Sequence, residues 1–192
     1  MKNPADHPIH DLLTARWSPY AIDPDRPVSS DDLQALFEAA RWTMSSYNAQ
    51  PWRYIVGVKD RSPEVWQKVF DCLVDGNQPW AKNAPVLAIG LTSNVFDFNG
   101  KPNKAAHHDL GAASASLTFE ATARGLVVHQ MIGIEPDKVR EAFGIAGPVE
   151  PLTGLAIGYG GKSGVVDQTY AERDARPRER TPLSDLILHG AL

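Results

Sequence analysis

Apolar positions along this chain change period from segment to segment, and each change marks an element. Leu33, Leu36, Phe37 and Ala40 recur at helical spacing, the stripe of an amphipathic helix seated on a core. Ser29 or Ser30 can cap its start, where Asp31 and Asp32 meet the positive end of the helix dipole. Arg53 to Val58 reads as a strand. Between Pro63 and Leu73, Val65, Val69 and Leu73 stand four apart, predicting a second helix. Pro85 to Leu91 is almost continuously apolar, as a central strand covered on both faces is. Asn103 to Arg124 is the longest helical candidate. Its middle, Gly111 to Ser116, is built of small residues that permit close approach in the core or at a subunit interface. Leu126 to Met131 and Leu152 to Gly158 are two further strands. A short helix from Glu135 to Phe143 separates them, with Pro136 at its start, where a missing N–H costs nothing.

The two ends read differently. His10 to Ala15 looks like the end of a short first helix, after which Pro19, Pro24 and Pro27 enforce an extended crossing. Beyond Gly160, Gly161 and Gly164 comes the charged run Glu172 to Arg180, then Pro182 and a short apolar end, Leu183 to Leu188. This predicts an arm, from about residue 165 to 192, that crosses a surface and docks. The alternating elements give an α/β or α+β class, and residues 1–192 form one domain.

Composition narrows the classes. With 43% apolar and 22% charged residues the chain reads as a soluble globular protein. A net charge of −4 argues against general nucleic-acid binding, which needs clustered positive charge. A single cysteine, Cys72, excludes an intrachain disulfide framework and a cysteine zinc cluster. The polar start, Met1 to His10, lacks a signal-peptide core, and no apolar run approaches the roughly 18–20 residues of a membrane span. The expectation is a cytoplasmic protein with no membrane partner.

Several motifs carry candidate chemistry. Gly158-Tyr-Gly160-Gly161-Lys162-Ser163 hints at a phosphate loop, but position 156 is Ala and no helical pattern follows, so these glycines read as turn residues. His107-His108-Asp109 suggests a metal, yet adjacent helical residues do not share a face, and a structural or interface role fits better. No Gly-x-Ser-x-Gly elbow supports a hydrolase. Arg178 and Arg180 are two apart, so an extended chain puts both guanidinium groups on one side, a clamp for a phosphate dianion or else part of a solvated arm. Arg16-Trp17-Ser18 offers a charge, a flat apolar surface and a hydroxyl. Ser45-Ser46-Tyr47-Asn48-Ala49-Gln50-Pro51-Trp52 packs hydrogen-bonding side chains into a loop between helix and strand, through turn chemistry or to hold a planar polar ligand.

Taken in order, these segments resemble the nitroreductase family of FMN-dependent, NAD(P)H-using oxidoreductases, from about Leu12 to His189. The resemblance is carried by Arg16-Trp17-Ser18, by the full Ser45–Trp52 loop, and by Asn77 about six residues before Ala84-Pro85. Ile132-Gly133 after a strand, and Arg178-x-Arg180 followed by Pro182-Leu183, complete it. It implies an α+β fold with a central, mostly antiparallel sheet flanked by helices, in an intertwined homodimer with FMN at two interface sites. Arg16, Ser18, Arg178 and Arg180 would hold the phosphate and ribityl end, with Trp17 beside them. Ser45, Ser46 and Asn48 would reach the flavin from the partner subunit. Gln50 and Asn77 would bond its polar edges, and the backbone at Ile132 and Gly133 would border its reactive edge.

The resemblance further implies ping-pong reduction of nitroaromatics, quinones or related small acceptors by NAD(P)H. Other flavin reactions on the same fold, such as reductive dehalogenation or flavin consumption, and non-catalytic flavin binding remain open. Trp17 stands where many members have Arg or His, Met44 replaces a common Pro, and Trp80 stands where a flavin-contacting Lys is frequent. At 192 residues the chain leaves little room for a substrate-covering insertion, so Tyr47 and Trp80 are expected to line an open apolar cavity for flat aromatic acceptors.

Overall fold

The computed structural model describes residues 4–190. A four-stranded sheet runs β1 (Trp52–Val58), β2 (Val86–Ser93), β4 (Val149–Gly158), β3 (Val127–Met131) from edge to edge, and every neighbouring pair is antiparallel. β2 lies inside the sheet and all its residues are buried, so its nearly unbroken apolar run serves two cores at once.

Strand alternation divides those cores. Leu87 and Ile89 point to one face, where Trp66 and Val69 of α3 (Pro63–Asp71) and Trp80 of α4 (Gln78–Ala81) pack. Val86 and Ala88 point to the other face, against Leu36 of α2 (Ser30–Arg41) and Leu110 and Leu117 of α5 (Ala106–Ala123). Each such fully buried aliphatic side chain stabilises by about 1.5–3 kcal/mol. At Gly57 in β1 an added Cβ would lie 2.3 Å from the Trp66 backbone, so helix and strand approach as closely as they do only because that position has no side chain.

Local signals set the helix ends. Ser29 caps α2, its hydroxyl accepting from Asp32 N–H. His10 caps α1 (Asp11–Ala15) in the same way through Nδ1. α6 (Pro136–Phe143) begins at its proline and ends at Gly144 in the left-handed conformation. α5 buries Ala113, Ser114, Leu117 and Ala121, whereas Gly111 on its other side is exposed.

The arm departs from its expected extended form. α7 (Gln168–Ala175) occupies part of the charged run, and a single turn, α8 (Leu183–Leu186), follows it. α7 has no buried residue and no apolar stripe to register: the Tyr170 ring packs against Tyr20 while its Oη donates to Gly76 O, and Asp174 accepts from backbone N–H groups. Among the described residues no helix is long and apolar enough to cross a membrane.

Candidate functional site

The expected site residues fall into three sets on this fold. The first joins the two ends of the chain. Arg16 closes α1, and its Nη1 donates to Ser18 Oγ at 3.3 Å. Arg178 returns from the arm, and its Nη1 donates to the Arg16 carbonyl at 3.3 Å. Arg16, Arg178 and Arg180 line one cleft of about 470 Å³, whose walls include Leu13 and Leu183. Burial, then Arg180, holds the Arg16 guanidinium below its usual pKa; burial, then Arg16 and Arg180, does the same to Arg178. Each cation thus raises the cost of charging its neighbours, and an anion among them would relieve it. Trp17, Ser18 and Arg178 also border a smaller pocket of about 250 Å³ with Tyr20 and His129.

The second set is the loop between α2 and β1. Tyr47, Asn48 and Gln50 have φ of 54°, 52° and 46°, a left-handed backbone that side-chain-bearing residues seldom adopt. Asp109 in the first turn of α5, 1% exposed, holds that shape. Its Oδ2 accepts from Ser45 Oγ at 3.0 Å and from Ser46 N–H at 2.9 Å. Ser45 Oγ in turn accepts from Gln50 N–H at 2.8 Å, and Gln50 Nε2 donates to Asn48 O at 3.2 Å. The one proton of the Ser45 hydroxyl is therefore spent on Asp109 of α5.

The third set lies where β3 ends. Ile132 is 72% exposed. Asn77 Nδ2 donates to Gly133 O at 2.9 Å, and a Cβ at position 133 would come within 2.4 Å of that nitrogen. Only glycine lets the strand-end backbone pass so close to Asn77. Nδ2 spends one of its two protons there, and Oδ1 is left as an acceptor for a ligand.

Trp80 does not line an open cavity as expected. It is 0% exposed, edge-on to Tyr20 at 5.3 Å and 4.4 Å from the His129 ring. The single turn of α4 directs it under the sheet, where its large apolar surface is worth most. Tyr47 is 83% exposed, with its ring edge-on to Phe96 at 5.8 Å, and Phe96 meets Phe98 at 5.1 Å. The paired histidines are exposed and each meets a carboxylate: His107 Nε2 lies 2.9 Å from Glu150 Oε2, and His108 Nδ1 lies 3.0 Å from Asp109 Oδ1.

Sequence reasoning weighed Asp109 only as a metal ligand beside His107 and His108, and it missed Asp174, because a carboxylate in a charged run reads as a solvated charge until its acceptor role is seen. It also left His129 without a role. His129 Nδ1 contacts Pro19 O at 3.0 Å, and since a carbonyl only accepts, Nδ1 carries the proton.

Comparison with known proteins follows the same lines. A family model described as the Nitroreductase family matches residues 13–159. An uncharacterized 15.4 kDa protein of Mycolicibacterium smegmatis is 34% identical over 147 residues, covering 72% of this chain and 95% of that protein. The major NAD(P)H-flavin oxidoreductase of Aliivibrio fischeri is 38% identical over 76 residues, 40% of this chain and 35% of that one. A crystal structure described as an oxidoreductase containing FMN superposes with a TM-score of 0.91 at 33% identity, covering 98% of this chain and 95% of the other.

Proposed function

The chain belongs to the nitroreductase family, and from that premise we propose that it is an FMN-dependent oxidoreductase passing reducing equivalents from NAD(P)H to nitroaromatic, quinone or related small acceptors. The observation that carries this reading is the convergence of Arg16, Arg178 and Arg180, from opposite ends of the chain, on one cleft. The donor set suits a phosphate dianion. Guanidinium groups present paired N–H donors at phosphate spacing, and their mutual repulsion is relieved when the dianion enters.

Arg16, Ser18, Arg178 and Arg180 hold the phosphate end, and Trp17 packs beside it. Gly133 lets the strand-end backbone close on Asn77, and Asn77 Oδ1 offers an acceptor to an imide N–H. Ile132, exposed at the same turn, borders the ring. Bound there, FMN would supply the redox chemistry between NAD(P)H and a second substrate, so the protein need supply neither a nucleophile nor a general acid. The protein's part is to orient the cofactor and to aim backbone N–H groups at the edge where charge develops. With one face serving both substrates in turn, initial-rate plots are expected to be parallel; intersecting plots would rule the ping-pong order out.

The Ser45 loop belongs to a homodimer in this reading. Ser46 and Asn48 reach the partner subunit's flavin, Gln50 bonds its polar edge, and Ser45 keeps the loop in shape. Trp42, Met44, Leu186 and Leu188, between 71% and 82% exposed, supply apolar surface for the association. Tyr47 offers a flat surface to aromatic acceptors.

The visible absorption spectrum of the purified protein, before and after anaerobic NADH or NADPH, tests the whole reading. A yellow protein that bleaches and releases FMN on denaturation is expected. A colourless protein that takes up no added FMN would overturn it.

A further inference from the structure

The two halves of the arginine set come from opposite ends of the chain, so their spacing depends on whatever ties those ends together. Arg16 and Ser18 follow α1, and Arg178 and Arg180 follow α7. Asp174, one residue before the end of α7, reaches across to the N-terminal segment. Its two oxygens accept from Tyr20 N–H at 2.9 and 3.1 Å, and Oδ2 also accepts from Ala21 N–H at 2.8 Å. β3 holds the same segment one residue earlier, His129 Nδ1 donating to Pro19 O. The Arg178 bond to the Arg16 carbonyl completes the closure. Arg173 and Arg176 flank Asp174 along the chain and line the same pocket, yet its oxygens bond successive backbone N–H groups 153 and 154 residues away. Such charge-assisted bonds are among the stronger and more directional ones available.

We infer that Asp174 is a positioning residue: it locks the Arg16–Ser18 segment to the arm and so sets the spacing of the guanidinium groups that receive the cofactor's phosphate. The inference rests on the phosphate reading given above. It also has a sign that electrostatics alone would reverse. A carboxylate four residues from Arg178 repels an anion, so as a mere charge its removal would tighten phosphate binding. As a bracket, its removal loosens it.

The test is titration of the flavin-stripped protein with FMN and with riboflavin, which keeps the ring and ribityl chain but lacks the phosphate, read by quenching of flavin fluorescence. The wild type is expected to prefer FMN. Asp174→Ala should lose that preference by roughly tenfold or more while its riboflavin affinity stays the same. Asp174→Asn, which keeps one carbonyl acceptor, should lose less, and it carries the test if the alanine variant does not fold. A preference unchanged or increased in both variants would overturn the bracket, as would equal losses for FMN and riboflavin, which would mark a general structural role. A wild type that does not distinguish the two flavins would instead overturn the phosphate reading itself.

Discussion

Removing the Asp109 carboxylate strands two donors at once. Ser45 Oγ–H and Ser46 N–H both end on Oδ2, and with the carboxylate 1% exposed, water is poorly placed to replace it. Asp109→Ala should therefore cost about 1.5–3 kcal/mol for each charged hydrogen bond lost. Denaturant unfolding checks the cost. If the loop reaches the flavin, FMN affinity should fall with it; unchanged affinity would detach the loop from the site. His129 gives the second prediction at this scale. Burial, as the largest influence, holds its pKa below the usual value, against the Pro19 hydrogen bond and Asp174. As pH falls through the unfolded value of about 6.5, the unfolded chain takes up a proton that the folded state refuses, so stability falls with it. The loss ends once pH passes below the lowered folded value. Melting temperatures from pH 7.5 downward should thus decline more in the wild type than in His129→Gln; equal declines would sink the assignment.

At the scale of elements, the Ser45 loop stores its cost in the backbone. Three residues near φ +50° survive because Asp109 and the Gln50 bonds over-determine the turn. Asn48→Gly should be almost neutral, whereas Asn48→Val, β-branched at φ 52°, should be about 1–2 kcal/mol less stable than the glycine variant. Equal urea midpoints for the two would contradict the left-handed geometry. The elements also differ in how plainly the sequence declared them. β2 and α2 were legible, since an unbroken apolar run and a Leu33–Leu36–Ala40 stripe admit few other structures. The order β1-β2-β4-β3 was not, because pairing joins residues as far apart as Val86 and Ile157 and leaves no local trace. α7 was hidden for another reason: it is anchored by Tyr170 Oη and Asp174 rather than by an apolar stripe. Trp80 was misjudged because its position in a family pattern says nothing of its direction, which the turn of α4 and the Tyr20–His129 rings decide.

For the whole molecule, the site is legible in sequence only as scattered pieces, and the fold gathers some but not all of them. Arg16 with Arg178, and Asn77 with Gly133, meet within one chain. Ser45 and Ser46 are tied to Asp109 at the start of α5, whereas the pocket that Arg16 and Ser18 share with this helix is lined by Ala115, Thr118 and Phe119, roughly 9–15 Å further along at 1.5 Å per residue. The homodimer proposed above would bring loop and arginines onto one ligand, and Leu188, 82% exposed on the arm, would supply apolar surface to it. Leu188→Glu should leave the sheet and its two cores intact, because this leucine packs in neither. Charges buried at a subunit contact would nevertheless cost enough to dissociate it. Light scattering coupled to size exclusion, with flavin absorbance recorded on the same peak, should then give a smaller particle carrying less FMN. A dimer that persists with full flavin would move the interface elsewhere, and a monomer with full flavin would show that one chain completes the site without its partner.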